Sequence, residues 1–299
     1  MALEGVVVDL ALGVGVMLCS ATLVLVGPAR FTRALRDAGS RFRSASLSLG
    51  ALLGVLALRW GGSQSAPWTS QDVMSWLQFR VVGRNITPLI DRFERELFAE
   101  NPVIVLQSLE SDLLTSFFVF SYLYGYAFLL LFPFVAYFSL RRMDRFNSLV
   151  LAFTANYAIG LLCYVLFIAY GPRNLLALEV VPLLYESYPQ ARFLTNEINQ
   201  NTNVFPSLHT SLSVSVFFLA LATRDEYPLW VPISGILALS VVLSTMYLGI
   251  HWFSDVAAGI VLAAVSVYIG LNFDLEKYRG PLLTAVSRRT WGRADSGSG

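Results

Sequence analysis

Along this 299-residue chain, long apolar runs alternate with short polar strings, and the lengths of the runs set the architecture. A bilayer core takes about 20 apolar residues per helical span. Stretches of that order lie at 5 to 27, 44 to 61, 112 to 140, 147 to 170, 206 to 223, 229 to 248 and 252 to 272. They predict an all-α integral membrane protein of about seven transmembrane helices. Two spans occupy 1–61, the main bundle occupies 112–272, and a tail follows over 273–299.

The intervening segment, 62–111, holds no span. Its apolar positions repeat at helical spacing, first as Val73, Trp76, Leu77 and Val81, then as Ile86, Leu89, Ile90, Phe93 and Leu97. Arg80, Arg84, Arg92, Glu94, Arg95 and Glu96 take the other faces. The pattern predicts amphipathic helices in the membrane interface, either as a roof on the bundle or as a guide for lipid.

Arginine placement predicts the orientation. Arg30, Arg33, Arg36, Arg41 and Arg43 follow the first span, and Arg141, Arg142 and Arg145 follow the third. Both segments are expected in the cytoplasm, as is the tail with Lys277, Arg279, Arg288, Arg289 and Arg293. The N-terminus then lies outside and the C-terminus inside, with segment 62–111 extracytoplasmic. Glu4 and Asp9 precede the centre of the first span and the basic cluster follows it, so that span is expected to be retained and not cleaved as a signal peptide. The last residues, from Asp295, are expected to be disordered.

Composition agrees with the membrane reading. Hydrophobic residues make up 56% and charged residues 14%, against about 25% charged in soluble domains. A net charge of +1 gives no reason to expect a nucleic-acid partner. Cys19 and Cys163 fall in mid-span and read as small buried hydrophobes, not as a disulfide or metal ligands. No acidic cluster suggests a divalent ion, so no metal and no cofactor is expected. Lysine occurs once while arginine is common, a skew that points to a high-GC or halophilic prokaryote and hence to its plasma membrane.

Only two histidines occur, each in a polar string between apolar runs. Asp255 follows His251 by four residues, so on a helix the two share a face and the carboxylate can hold one ring nitrogen. Such a histidine is a competent nucleophile. An ionisable pair at the start of a span is costly unless it lines a wet cavity, which favours function over mere capping. Pro206 suits the first position of a helix, placing His209 in the first turn, where backbone amides and the helix dipole favour an anion such as phosphate. Ser207 and Thr210 add hydroxyls. Arg173, in Gly171-Pro172-Arg173-Asn174, is the best guanidinium for phosphate oxygens, with Arg192 second. Phosphoryl transfer needs a nucleophile, a positive cradle and an acid for the leaving group.

These strings resemble the motifs of the type 2 phosphatidic acid phosphatase superfamily over about residues 147 to 272. Pro206-Ser207-Leu208-His209 resembles its Pro-Ser-x-His motif. Ser244, His251 and Asp255 keep the spacing of its Ser-Arg, five residues, His, three residues, Asp motif, with Thr245 where arginine is usual. Thr245, Met246-Tyr247-Leu248 and Trp252 are similar to the inositol phosphorylceramide synthase branch, whose members transfer a phosphorylated head group between lipids. The first motif differs: no lysine stands ahead of it, and Pro172-Arg173 reverses the usual Arg-Pro.

The resemblance implies roles. His251 would attack phosphorus and become phosphohistidine, Asp255 would orient it, and His209 would protonate the leaving oxygen. Ser207, Arg173, Ser244 and Thr245 would hold the phosphoryl oxygens. The implied substrate is a lipid phosphate or diphosphate at the extracytoplasmic face, without a metal, and residues 62–111 and 174–203 are expected to wall the pocket. Bundle 112–272 would be the catalytic part. Water or an alcohol would then release the phosphoryl group, giving a phosphatase or a transferase. A proton-coupled transporter using His and Asp as a relay is the other class, opposed by missing internal symmetry and by few charges deep in the spans.

Overall fold

The computed structural model of the protein describes residues 3–60, 83–191 and 203–273. The N-terminal helices are α1 (Leu3–Ala21), which continues through a π-helical turn at Thr22–Val26, then α2 (Pro28–Arg36), α3 (Ala38–Ser44) and α4 (Ser46–Trp60). After them come α5 (Thr87–Leu97) and α6 (Pro102–Gln107). The bundle continues with α7 (Asp112–Phe120), a π-helical turn at Ser121–Gly125, α8 (Tyr126–Phe138) and α9 (Asp144–Leu166). It closes with the short α10 (Pro172–Leu175) and α11 (Leu183–Ser187), then α12 (Leu208–Ala222), α13 (Trp230–Tyr247) and α14 (Phe253–Asn272).

Among the described residues, five helical stretches are long and apolar enough to cross a membrane: Glu4–Val26, Asp112–Phe138, Asp144–Leu166, Trp230–Tyr247 and Phe253–Asn272. The two other expected spans differ from a straight crossing. Stretch 44 to 61 joins a helix pair, Ala38–Ser44 and Ser46–Leu58, bent by 68°. Stretch 206 to 223 yields α12, only 15 residues long. At 1.5 Å per residue it rises about 22 Å, less than the ~30 Å hydrocarbon core. The residues before it run as non-helical chain, with Val204, Pro206 and Ser207 buried in protein. Irregular backbone at membrane depth requires such cover.

Helix α12 is the centre of the bundle and packs on α13, α14 and α9. Leu212, Val216 and Leu219 join Phe128, Leu129, Phe132 and Trp230 in the largest apolar cluster, where the Phe132 and Trp230 rings lie 4.6 Å apart. Polar links hold α9 to α12: Ser211 donates to Asn156 Oδ1 at 2.8 Å, and the Asn156 amide donates to Ser215 Oγ at 3.2 Å. Interhelical bonds of this kind contribute about 0.6 kcal/mol each in membranes.

Arg41 is buried, and its Nη1 donates to the Phe138 and Leu140 carbonyls at the end of α8. The clamp satisfies carbonyls that a helix end leaves open. It also brings the two basic segments, 30–43 and 141–145, to the same end of the bundle. At the opposite end, the exit of α13 and the starts of α12 and α14 converge. Gly259 permits this convergence, because a Cβ there would lie 2.7 Å from the Ser207 carbonyl oxygen and 3.0 Å from Thr210 Cβ.

The roof departs from an all-helical expectation in one detail. Strand β1 (Arg84–Asn85) pairs in parallel with β2 (Phe167–Ile168), and Ile86 N–H donates to the Ile168 carbonyl at 2.9 Å. Helix α5 buries Ile90 and exposes Leu89, Phe93 and Leu97, an apolar edge suited to the membrane interface. Glu94 corrects the expected polar face: it is fully buried, because α5 packs that side against the start of α14. Cys19 is exposed on the bundle surface and not buried, since α1 lies at its periphery; Cys19 and Cys163 are both free thiols. The expected helix from Val73 to Val81, Arg192 and the tail from residue 274 lie outside the described residues.

The Gly259 contact yields a quantitative expectation. Gly259→Val forces a side chain into the α12–α14 seam, costing about 1–3 kcal/mol as overpacking. The apparent melting temperature in detergent should fall by several degrees, whereas Gly15→Ala, with nothing within 4 Å of the added carbon, should leave it unchanged.

Candidate active site

His251 is held by its backbone. After α13, Gly249 takes φ +70, a conformation that side chains disfavour. The chain then turns so that the Ile250 and His251 N–H groups both donate to the Thr245 carbonyl, each at 3.0 Å. Trp252 is fully buried, and its indole N–H donates to the Tyr170 carbonyl at 2.8 Å. His251 therefore precedes α14 and does not share a helical face with Asp255. Trp252 is the N-cap, and Asp255, three residues on, reaches back to accept the Trp252 N–H at 2.9 Å. The same Oδ2 lies 3.4 Å from His251 Nδ1, while Oδ1 is buried without a hydrogen-bond partner. A contact of 3.4 Å is longer than an ordinary hydrogen bond, and catalytic contacts of this kind often tighten once substrate binds.

His209 arrives from the other side. Ser207 is the N-cap of α12, with its Oγ accepting the Thr210 N–H at 3.2 Å. Pro206 sits one position before the cap and not at the first helical position, because the helix starts at Leu208. Ser207 N–H donates to the Asp255 carbonyl at 3.0 Å, tying the two histidine segments together. The His209 ring packs against Tyr122 and Tyr126, with centroids 4.7 and 4.5 Å away, and lies 6.1 Å from the His251 ring. Both tyrosines sit inside the third apolar stretch, where no polar string marks them in the sequence.

Arg173 completes the group. Its N–H donates to the Gly249 carbonyl at 3.2 Å, so α10 is seated directly on the His251 turn. The guanidinium lies 4.7 Å above the Tyr185 ring, and Nη2 donates to the Tyr185 hydroxyl at 3.2 Å. Nη1 is buried without a hydrogen-bond partner. A desolvated guanidinium nitrogen with no acceptor is costly and favours an anion beside it. Burial, with the nearby Arg173 charge second, pushes the His251 imidazole down to about 3, against a smaller opposing pull from the Val204 carbonyl. Burial thereby favours the neutral imidazole.

Ser244 and Thr245 are both fully buried, and their hydroxyls donate to the Val241 and Val242 carbonyls, each at 2.7 Å. Such back-bonding satisfies hydroxyls within an apolar helix. Thr245 meets the site through its backbone carbonyl, which holds the His251 turn. Glu94, which pattern reading assigned to a solvent face, accepts from Ser254 next to Asp255. Among the described residues, no group of three or more His, Cys, Asp or Glu side chains comes together.

Two imidazoles, a carboxylate behind one of them and a guanidinium with an unsatisfied donor thus meet at one end of a helical membrane bundle. Such a group is chemically suited to an anion such as phosphate. A family model described as the PAP2 superfamily matches residues 90–269, and the chain belongs to that superfamily. Membership supports an activity of the phosphatase or phosphotransferase type on a lipid or phosphate substrate. No curated protein and no solved structure matches the chain.

With only two histidines, ring protonation is directly readable. Nitrogen NMR of histidine-labelled protein, assigned with His209→Asn, should show His251 neutral down to about pH 4. Arg173→Met removes a nearby positive charge, so the His251 midpoint should move up toward its ordinary value of 6.5.

Proposed function

We propose that the protein cleaves or transfers the phosphate, or a phosphorylated head group, of a membrane lipid through a phosphohistidine at His251. The observation that carries this reading is the opposition of the two rings, 6.1 Å apart, with Asp255 behind Nδ1 of one of them. A phosphoryl group bound there would have its phosphorus toward His251 and its leaving oxygen toward His209.

His251 Nε2 attacks phosphorus as the bond to the lipid oxygen breaks. His209, protonated, gives its proton to that oxygen. The phosphoryl group is then on His251, and Asp255 offsets the positive charge that develops on the ring. Arg173 Nη1 and the Ser207 hydroxyl hold the phosphoryl oxygens. In the second half, His209, now neutral, takes a proton from water or an alcohol, whose oxygen attacks phosphorus and frees His251.

A second reading, transfer to an alcohol of another lipid as in the inositol phosphorylceramide synthase branch, has two supports. Thr245 stands where the superfamily motif has arginine, leaving the cradle one positive charge poorer. The reacting imidazole is also only 4% exposed, and excluding water protects a phosphohistidine from hydrolysis. The basic segments at the far end support an extracytoplasmic site by the positive-inside rule.

The test is purified protein in detergent with labelled phosphatidic acid, a polyprenyl diphosphate or a phosphoinositide, each with and without an alcohol acceptor. Free phosphate is the product of hydrolysis, and a new labelled lipid is the product of transfer. His251→Ala should lower kcat by about 10⁴-fold or more, and His209→Asn by about 10²–10⁴-fold. Wild type no faster than His251→Ala on every substrate overturns the reading. Sidedness is checked separately with Leu178→Cys, on a residue fully open to solvent, in a background of Cys19→Ser and Cys163→Ser. An impermeant maleimide should label it in intact cells; labelling only after lysis reverses the orientation.

A further inference from the structure

Among the described residues, Glu94 is the fully buried carboxylate beside the site that the chemistry above leaves unused. Its Oε1 accepts the Ser254 N–H at 2.7 Å and the Ser254 hydroxyl at 2.9 Å, and its Oε2 accepts the Asn101 amide at 3.4 Å. Ser254 is the second residue of α14, between the cap Trp252 and Asp255. A carboxylate on first-turn amides is favoured by both hydrogen bonding and the helix dipole. A second contact flanks the first: the Phe98 ring, at the end of α5, meets Phe253 edge-on with centroids 5.0 Å apart. Burial raises the Glu94 carboxyl above its ordinary range, while the Ser254 bonds oppose the rise and the neighbouring Asp255 adds to it.

We propose that Glu94 is a positioning residue that clamps the first turn of α14 to the interface helix α5, and so fixes Asp255 against His251. The first turn of α14, with Asp255 in it, is restrained on two sides: Ser254 is held from α5 and the Asp255 carbonyl is held by Ser207. The exposed Leu89, Phe93 and Leu97 edge lies on the same helix, so the clamp references the reacting group to the membrane surface. A misplacement of about 1 Å at a reacting group costs up to about 100-fold in rate.

The catalytic consequence rests on the phosphoesterase reading; the clamp itself does not. Three variants are compared by steady-state kinetics and by hydrogen exchange over residues 250–258. Glu94→Ala should lower kcat by about 10–100-fold with KM within about twofold, and speed exchange over 250–258 about tenfold relative to the rest of the bundle. Glu94→Gln keeps an oxygen acceptor for Ser254 and should restore both readouts to within about threefold of wild type. If Glu94→Ala fails to fold, Ser254→Ala loses one of the two Oε1 bonds and should lower kcat by about threefold to tenfold. Wild-type kcat and exchange in Glu94→Ala would overturn the clamp. So would a loss spread evenly over the bundle and not rescued by glutamine. If wild type turns over no substrate faster than His251→Ala, the phosphoesterase reading fails, and exchange alone decides whether Glu94 holds this turn.

Discussion

Asp255 ties two distant segments of the chain together, and the site depends on that tie. Its carboxylate accepts the Trp252 N–H and faces His251, while its carbonyl accepts the Ser207 N–H. One residue in the first turn of α14 thus sets the His251 turn against the start of α12, which carries His209. A carboxylate buried among apolar helices is costly unless hydrogen-bonded, so the segments that pair with it are held in one arrangement. Gly259 supplies the other half of the constraint, since only a residue without a side chain lets α12 and α14 meet there.

Around this tie the site residues are buried and closely held. His251 is held neutral by burial and by Arg173, and the Arg173 guanidinium is braced on Tyr185 with one nitrogen still unsatisfied. Low local dielectric makes each misplaced dipole expensive. Hence the site is fastened from several directions: Thr245 through its carbonyl, Trp252 through its indole, and Glu94 through the first turn of α14. The opposite end of the bundle is fastened by Arg41 on the close of α8, so both ends of the apolar layer are capped by buried polar groups.

Much of this was legible in the residues. Five of the seven apolar stretches are helices of membrane length, and His209 lies in a first helical turn as expected, although that helix starts at Leu208 and not at Pro206. Superfamily membership agrees with the motif spacing of Ser207, His209, His251 and Asp255. Other features were not legible. The Ala38–Leu58 bend and the short α12 interrupt the apolar runs, and His251 falls outside its helix because Trp252 caps α14. Glu94 reads as a polar-face residue because its neighbours Arg92, Arg95 and Glu96 do face outward. Tyr122 and Tyr126 read as core aromatics, since nothing in an apolar run tells which ring will meet a histidine.

The sequence by itself determined the membrane character, the run of apolar stretches and the motif spacing that agrees with superfamily membership. These depend on composition and on spacing within a few residues, which local physics reads directly. Only the tertiary structure decided that Asp255 reaches back toward His251, that Arg173 seats on the His251 turn, that the two tyrosines pack on His209, and that Glu94 faces inward. Helical periodicity tells which residues share a face, but which neighbour covers that face is settled by packing between segments far apart in the chain.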